Sequence, residues 1–146
     1  MTARIEMHTA APAAYKAMRS LSEYTSTCGL EPALLELVKT RASQVNGCAY
    51  CIQMHTREAR KMGETDERLH LLAAWRETVL YTPRERAALA WTEALTLLTE
   101  EHPPDPVYEE VRAQFSDEEV ANLSLAIATI NAWNRLAVGM RFVPKP

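Results

Sequence analysis

Residues 38–55 read VKTRASQVNGCAYCIQMH, and this stretch decides how the rest of the chain is interpreted. Its first half continues a run of apolar residues at helical spacing, and Gly47 is a residue type that ends helices. A new helix is then expected from about Cys48, with Cys48, Cys51 and His55 on one face because they lie at offsets of 0, 3 and 7. The stretch therefore predicts two helices joined by a short turn, with two thiols and an imidazole along one side of the second.

Helical patterns continue outward from this stretch over most of the 146 residues. Alternating β-branched runs and hairpin dipeptides are nearly absent, so no sheet is expected. Helices are predicted to begin near Pro12, Glu31, Cys48, Leu69, Thr82, Val107 and Ser116, the fifth and the last with capping boxes. We therefore predict an all-α fold of six or seven helices in a single domain, residues 1–146. A thioredoxin-like context is rejected, because Cys48 follows a helical segment rather than a buried strand.

Composition indicates an ordinary globular protein, with 47% hydrophobic residues, 24% charged residues and a net charge of −3. No stripe of Lys and Arg is present to attract phosphate backbones or anionic lipids, so neither nucleic acid nor membrane partners are expected. The apolar stretch 123–140 is interrupted by Asn131, Asn134 and Arg135, which favours a buried helix over a membrane span. An N-terminus without an apolar signal core, together with only three cysteines, predicts a cytoplasmic location.

The spacing of Cys48, Cys51 and His55 is compatible with three kinds of site. Thiols at i and i+3 on a helix can close a disulfide, and a helix N-terminus or a nearby histidine stabilises a thiolate. By the helix dipole alone, Cys48 would be the more acidic thiol, whereas His55 lies one turn from Cys51. A zinc site and a structural core pair remain open, although zinc would need a further ligand from scattered residues: Cys28, His8, His70 or His102. We favour redox use of the pair, with no metal and no cofactor.

The stretch from Val38 to His55 resembles the core motif of the alkylhydroperoxidase AhpD-like, carboxymuconolactone decarboxylase-related proteins. The likeness continues through residues 75–78, 82–91 and 126–135, so it covers most of the chain. It implies an AhpD-like helical bundle and a thiol-dependent peroxidase or disulfide oxidoreductase that reduces organic hydroperoxides in an antioxidant role.

The resemblance also implies a role for each site residue. Cys51 attacks the hydroperoxide and becomes a sulfenic acid, Cys48 resolves it to a disulfide, and an external dithiol reductant regenerates the pair. Glu36, twelve positions before Cys48, would relay protons together with His55. Tyr50 stands where the characterised peroxidases of this family carry a histidine.

Residue type alone predicts a different environment for Glu36. With Thr40 and Ser43 it would form a polar, solvated face of the second helix, as most glutamates do. Cys28 is assigned no role.

The resemblance further implies a homo-oligomer, a trimer or hexamer, in which helices of neighbouring subunits pack near the dithiol. Asn131 and Asn134 would then border the site. Two alternatives stay open: a decarboxylase-like member of the family that acts on another substrate, and a non-catalytic thiol redox sensor or oligomeric scaffold. The cysteine pair argues against the decarboxylase branch, which does not use one.

Overall fold

A computed structural model describes residues 1–144, and every regular element in that range is helical. The elements are α1 (Met7–Ala10), α2 (Pro12–Ser26), α3 (Pro32–Val45), α4 (Ala49–Lys61), α5 (Asp66–Leu71), a 3-10 helix (Leu72–Glu77), α6 (Pro83–Thr96), α7 (Asp105–Gln114) and α8 (Asp117–Met140). The predicted all-α class is confirmed. The described chain has eight α-helices rather than six or seven because α1 is a single turn, too short to produce a periodic pattern.

Helix α3 forms the centre of the fold, since it packs against α4, α6 and α8. Its Leu35 and Val38 join one apolar cluster with Ile127 of α8, while Leu37 joins a second cluster with Leu89 of α6. A helix that buries residues on several sides lies in the interior of a domain. Each such buried aliphatic side chain contributes about 1.5–3 kcal/mol to folding.

A tight turn joins α3 to α4 and sets where the cysteines lie. Gly47 has a φ of +66°, a conformation that glycine adopts without steric cost. Within the turn the Asn46 amide donates to the Ala42 carbonyl, and the Cys48 amide donates to the Ser43 carbonyl at 3.0 Å. The turn makes the two helices antiparallel and holds Cys48 beside the end of α3.

Helix α8 begins at the predicted capping box, in which the side chains of Ser116 and Glu119 each accept a hydrogen bond from the other's backbone amide. It runs for 24 residues and buries Leu123, Ile127 and Asn134. Across the described residues, no helix combines the length and the apolar character needed to span a bilayer.

Beyond α8 the chain turns back toward α4. Arg141 has a φ of 59°, which is uncommon for a residue with a Cβ atom. The reversal lets the Phe142 amide donate to the Ala137 carbonyl at 2.8 Å. It also brings the Phe142 ring edge-on to Tyr50, with 5.5 Å between ring centroids. An aromatic pair therefore stands next to the start of α4.

Candidate active site

The structure brings the four predicted site residues together where α3 faces α4. Cys48 and Cys51 are joined by a disulfide, with 5.4 Å between their Cα atoms, and both are only 2% exposed. Cys28 is a free cysteine near the end of α2, outside this arrangement. Within residues 1–144, no three His, Cys, Asp or Glu side chains are grouped so that they could hold a metal ion.

The two sulfurs have different surroundings. Cys48 is the N-cap of α4, and its Sγ accepts a hydrogen bond from the Cys51 amide at 3.3 Å. The partial positive charge of a helix N-terminus stabilises a thiolate, so α4 itself favours ionisation of Cys48.

Cys51 is the one of the two cysteines that lines a cavity of about 230 Å³ between α2, α4 and α8. His55 lines the same cavity, and much of the remaining wall is aromatic: Tyr15, Tyr50, Trp133 and Phe142. A small molecule in this cavity would therefore meet Cys51 and His55.

Glu36 is buried at 6% exposure and makes two polar contacts, one across to α4 and one within α3. Its Oε2 lies 2.8 Å from Nδ1 of His55, and its Oε1 accepts a hydrogen bond from Nζ of Lys39 at 2.8 Å. Because a carboxylate can only accept, the Nδ1 atom carries the proton in this pair and Nε2 is left for other partners. The carboxylate thus fixes both the tautomer and the orientation of the imidazole.

The pKa of Glu36 reflects a competition between burial and positive charge. Burial raises the pKa of the carboxyl group, but the hydrogen bond and charge of His55, with those of Lys39, outweigh it. The pKa therefore lies below its ordinary value of 4.5, and Glu36 is ionised at neutral pH.

The prediction that α3 has a polar, solvated face is wrong. Glu36, Thr40 and Ser43 are all buried, because α4 packs over that side of α3. Ser43 Oγ donates to the Lys39 carbonyl at 2.7 Å and accepts from the side-chain amide of Asn134 at 3.0 Å. Lys39, which lines the cavity and donates to Glu36, is not among the site residues that the sequence predicts.

Asn131 and Asn134 lie beside the turn that positions Cys48. Their side-chain oxygens accept hydrogen bonds from Nδ2 of Asn46 at 3.0 and 2.8 Å. These partly buried contacts tie α8 to the end of α3, so the asparagines hold the turn in place.

Comparisons with known proteins give a consistent result. The carboxymuconolactone decarboxylase family model matches residues 12–94. A protein of unknown function from Agrobacterium tumefaciens, suggested to be the antioxidant defence protein AhpD, is 43% identical with a TM-score of 0.97 over 99% of both chains. The uncharacterized Bacillus subtilis protein YdfG is 42% identical over 140 residues, 96% of this chain and 95% of its own. The debrominase Bmp8 shares the fold, with a TM-score of 0.84 and 18% identity over 94% of this chain and 73% of its own.

Proposed function

The chain belongs to the carboxymuconolactone decarboxylase family and has the AhpD-like fold that its sequence predicts, and we propose that it is a thiol-dependent peroxidase acting on organic hydroperoxides. The observation that carries the proposal is the Cys48–Cys51 disulfide beside a cavity that also receives His55. The similarity to a protein suggested to act in antioxidant defence supports it. The fold alone would not, since Bmp8 has the same fold and is a debrominase.

The first proposed step takes place on Cys51, the cysteine that faces the cavity. The Cys51 thiolate attacks the terminal oxygen of the hydroperoxide, an S–O bond forms and the O–O bond breaks. The departing alkoxide takes a proton and leaves as an alcohol, and Cys51 becomes a sulfenic acid. His55 is placed to take up the proton of the Cys51 thiol at Nε2 as the thiolate forms and then to supply it to the alkoxide, while Glu36 holds the ring through Nδ1.

The second step forms the disulfide that the structure contains. The Cys48 thiolate attacks the sulfenic sulfur of Cys51, and the displaced hydroxide takes a proton and leaves as water. An external dithiol then returns two electrons and two protons, opens the disulfide and is itself oxidised to a disulfide. The cycle converts one hydroperoxide and one dithiol into one alcohol, one water and one oxidised dithiol.

The cavity supports an organic substrate over hydrogen peroxide. Its volume of about 230 Å³ exceeds what a water-sized peroxide needs, and its wall carries the rings of Trp133 and Phe142. Apolar walls with a few polar groups at one side are typical of pockets for small organic ligands. We expect the apolar part of the hydroperoxide to contact these rings and the O–O group to face Cys51.

Homo-oligomeric assembly and a cytoplasmic location belong to the same proposal. The family resemblance supports assembly of several copies of the chain. A reducing compartment would supply the external dithiol that the cycle needs.

The test is dithiol-dependent consumption of cumene hydroperoxide by the purified protein with a chelator present. Cys51→Ser, Cys48→Ser and His55→Ala are compared with Cys28→Ser, a matched control that removes the free cysteine. We expect Cys51→Ser to fail even in a single turnover, Cys48→Ser to react once, and Cys28→Ser to keep full activity. A wild-type protein that oxidises reversibly but does not turn over peroxide would refute the proposal and favour a redox sensor.

A further inference from the structure

Thr40 carries a buried hydroxyl group whose surroundings are unusual for this chain. Thr40 is fully buried on α3, and across residues 1–144 its Oγ1 is the one buried side-chain nitrogen or oxygen without a hydrogen-bond partner. The buried hydroxyls of Ser43, Thr92 and Thr129 bond to the helix carbonyl four residues earlier. Leaving a buried donor unpaired is unfavourable, so such a group in a native protein calls for a specific explanation.

Two contacts define the register between α3 and α4. Glu36 Oε2 lies 2.8 Å from Nδ1 of His55, and the Ser43 carbonyl accepts from the Cys48 amide at 3.0 Å. The first pair lies deep along the two helices, and the second lies at the turn that joins them. The stretch between the two pairs is therefore in fixed antiparallel alignment.

This alignment places Thr40 opposite Cys51. Thr40 lies four residues after Glu36, and Cys51 lies four residues before His55. Four residues are about one helical turn, so each of these residues shares a face with its partner on the same helix. Because the helices are antiparallel, the residue one turn after Glu36 on α3 and the residue one turn before His55 on α4 lie at the same height along the two helices.

We propose that Thr40 is a thiolate-binding residue, whose hydroxyl donates a hydrogen bond to Sγ of Cys51 once the disulfide has been reduced. The external dithiol opens the disulfide with two electrons and two protons. One proton goes to Cys48 and the other to Nε2 of His55, so Cys51 is left as a thiolate. A sulfur in a disulfide is a weak acceptor and a thiolate is a strong one. The hydroxyl that has no partner in the disulfide form therefore gains one in the dithiol form.

The inference rests on the proposed dithiol chemistry and resolves a difficulty in it. The N-terminus of α4 favours the thiolate of Cys48, whereas the cavity exposes Cys51 to a substrate. A hydroxyl donor opposite Cys51 would stabilise its thiolate and so lower the pKa of that thiol. Thr40 would thus raise the thiolate fraction at the sulfur that meets the hydroperoxide.

The test compares Thr40→Val, which removes the hydroxyl at nearly constant shape, with Thr40→Ser, which retains it. The reduced proteins are alkylated with iodoacetamide across a range of pH, and peptide mass spectrometry reads each cysteine separately. We expect Thr40→Val to raise the pKa of Cys51 by about one unit, which slows its alkylation about tenfold below both pKa values. Thr40→Ser should stay close to the wild type, and Cys28 serves as an internal control.

Neither substitution changes the other titratable groups around Cys51. These groups are His55 and Tyr50 on α4, Cys48 at its start, Glu36 and Lys39 on α3, and Tyr15 and Arg19 on α2. A pKa shift common to all three cysteines would therefore reflect a general loss of structure, and it would overturn the proposal.

A second readout separates this role from simple packing. The disulfide form of Thr40→Val should be at least as stable to denaturant as the wild type, because it loses an unpaired group. An unchanged Cys51 pKa in Thr40→Val, with or without lost stability, would overturn the proposal. If that variant does not fold, a structure of the wild-type dithiol form decides, since Oγ1 of Thr40 must then lie within hydrogen-bonding distance of Sγ of Cys51. None of these measurements uses peroxide turnover, so they can fail independently of the proposed function.

Discussion

Replacing Glu36 by glutamine removes a buried charge that connects α3 to His55 of α4 and pairs with Lys39 within α3. The carboxylate has 7% side-chain exposure and makes two charge-assisted contacts of 2.8 Å, with His55 and with Lys39. Glutamine can keep an oxygen toward one donor but presents its amide to the other, so one charged contact is lost and the second is weakened. At about 1.5–3 kcal/mol for a hydrogen bond to a charged group, we expect the free energy of unfolding to fall by about 2–3 kcal/mol at neutral pH.

Denaturant titration of the oxidised proteins, followed by tryptophan fluorescence, measures this difference. A matched control is Glu58→Gln, because Glu58 also pairs with a lysine three residues later, Lys61, but on the surface. That change should alter stability by less than about 0.5 kcal/mol. In the peroxidase assay, Glu36→Gln should lose about 10²-fold in rate, since His55 no longer has an ionised partner.

The pH dependence of the free energy of unfolding tests whether the charge of Glu36 stabilises the fold. Its folded pKa lies below 4.5, so the stabilisation is fully present above about pH 4.5 and is lost as the pH falls through the folded pKa. The stability curves of wild type and Glu36→Gln should therefore converge in acid. Equal stability at neutral pH, or a gap that stays constant down to about pH 3, would show that the charge of Glu36 does not stabilise the fold.

Three further changes have defined outcomes. Tyr50→His, which introduces the family's imidazole next to Phe142, should raise kcat/KM for cumene hydroperoxide about tenfold. Burial raises the pKa of Glu93, but its hydrogen bonds with Arg76, Trp75 and Arg41 outweigh burial and lower it. Glu93→Gln should therefore reduce the free energy of unfolding by about 2 kcal/mol at neutral pH and by less in acid, as measured by denaturant titration. Gly47→Ala should lower the thermal midpoint by the equivalent of about 1 kcal/mol, because its φ of +66° disfavours a Cβ atom.

Local patterns in the sequence predicted much of the helical structure. The capping boxes at Thr82 and Ser116 mark two helix starts in the structure, because capping depends on residues three positions apart. Likewise, Cys51 and His55 share a buried face of α4 because helical periodicity decides which residues lie together. The left-handed conformation of Arg141 has no such signal, since the residue is not a glycine.

Contacts across the α3–α4 hairpin were harder to predict. Residue type assigns Glu36 and Thr40 to solvent, and only the packing of α4 over α3 buries them. Lys39 donates to Glu36, and its part in the site depends on the burial of that carboxylate. Because this burial results from tertiary packing, the sequence does not predict it. The family resemblance supplied Glu36, which residue type alone would have left on the surface.

The short sequence separation of the disulfide has a consequence for repeated redox cycling. Cys48 and Cys51 are three residues apart, so the bond closes a very small ring. By chain-entropy arguments such a ring stabilises a fold by about 2 kcal/mol, against nearly 5 kcal/mol for a loop of about 100 residues. Opening the bond therefore removes little of what holds the helices together. We therefore expect the dithiol form to keep the helical bundle, so that repeated opening and closing of the bond would not expose the core to aggregation.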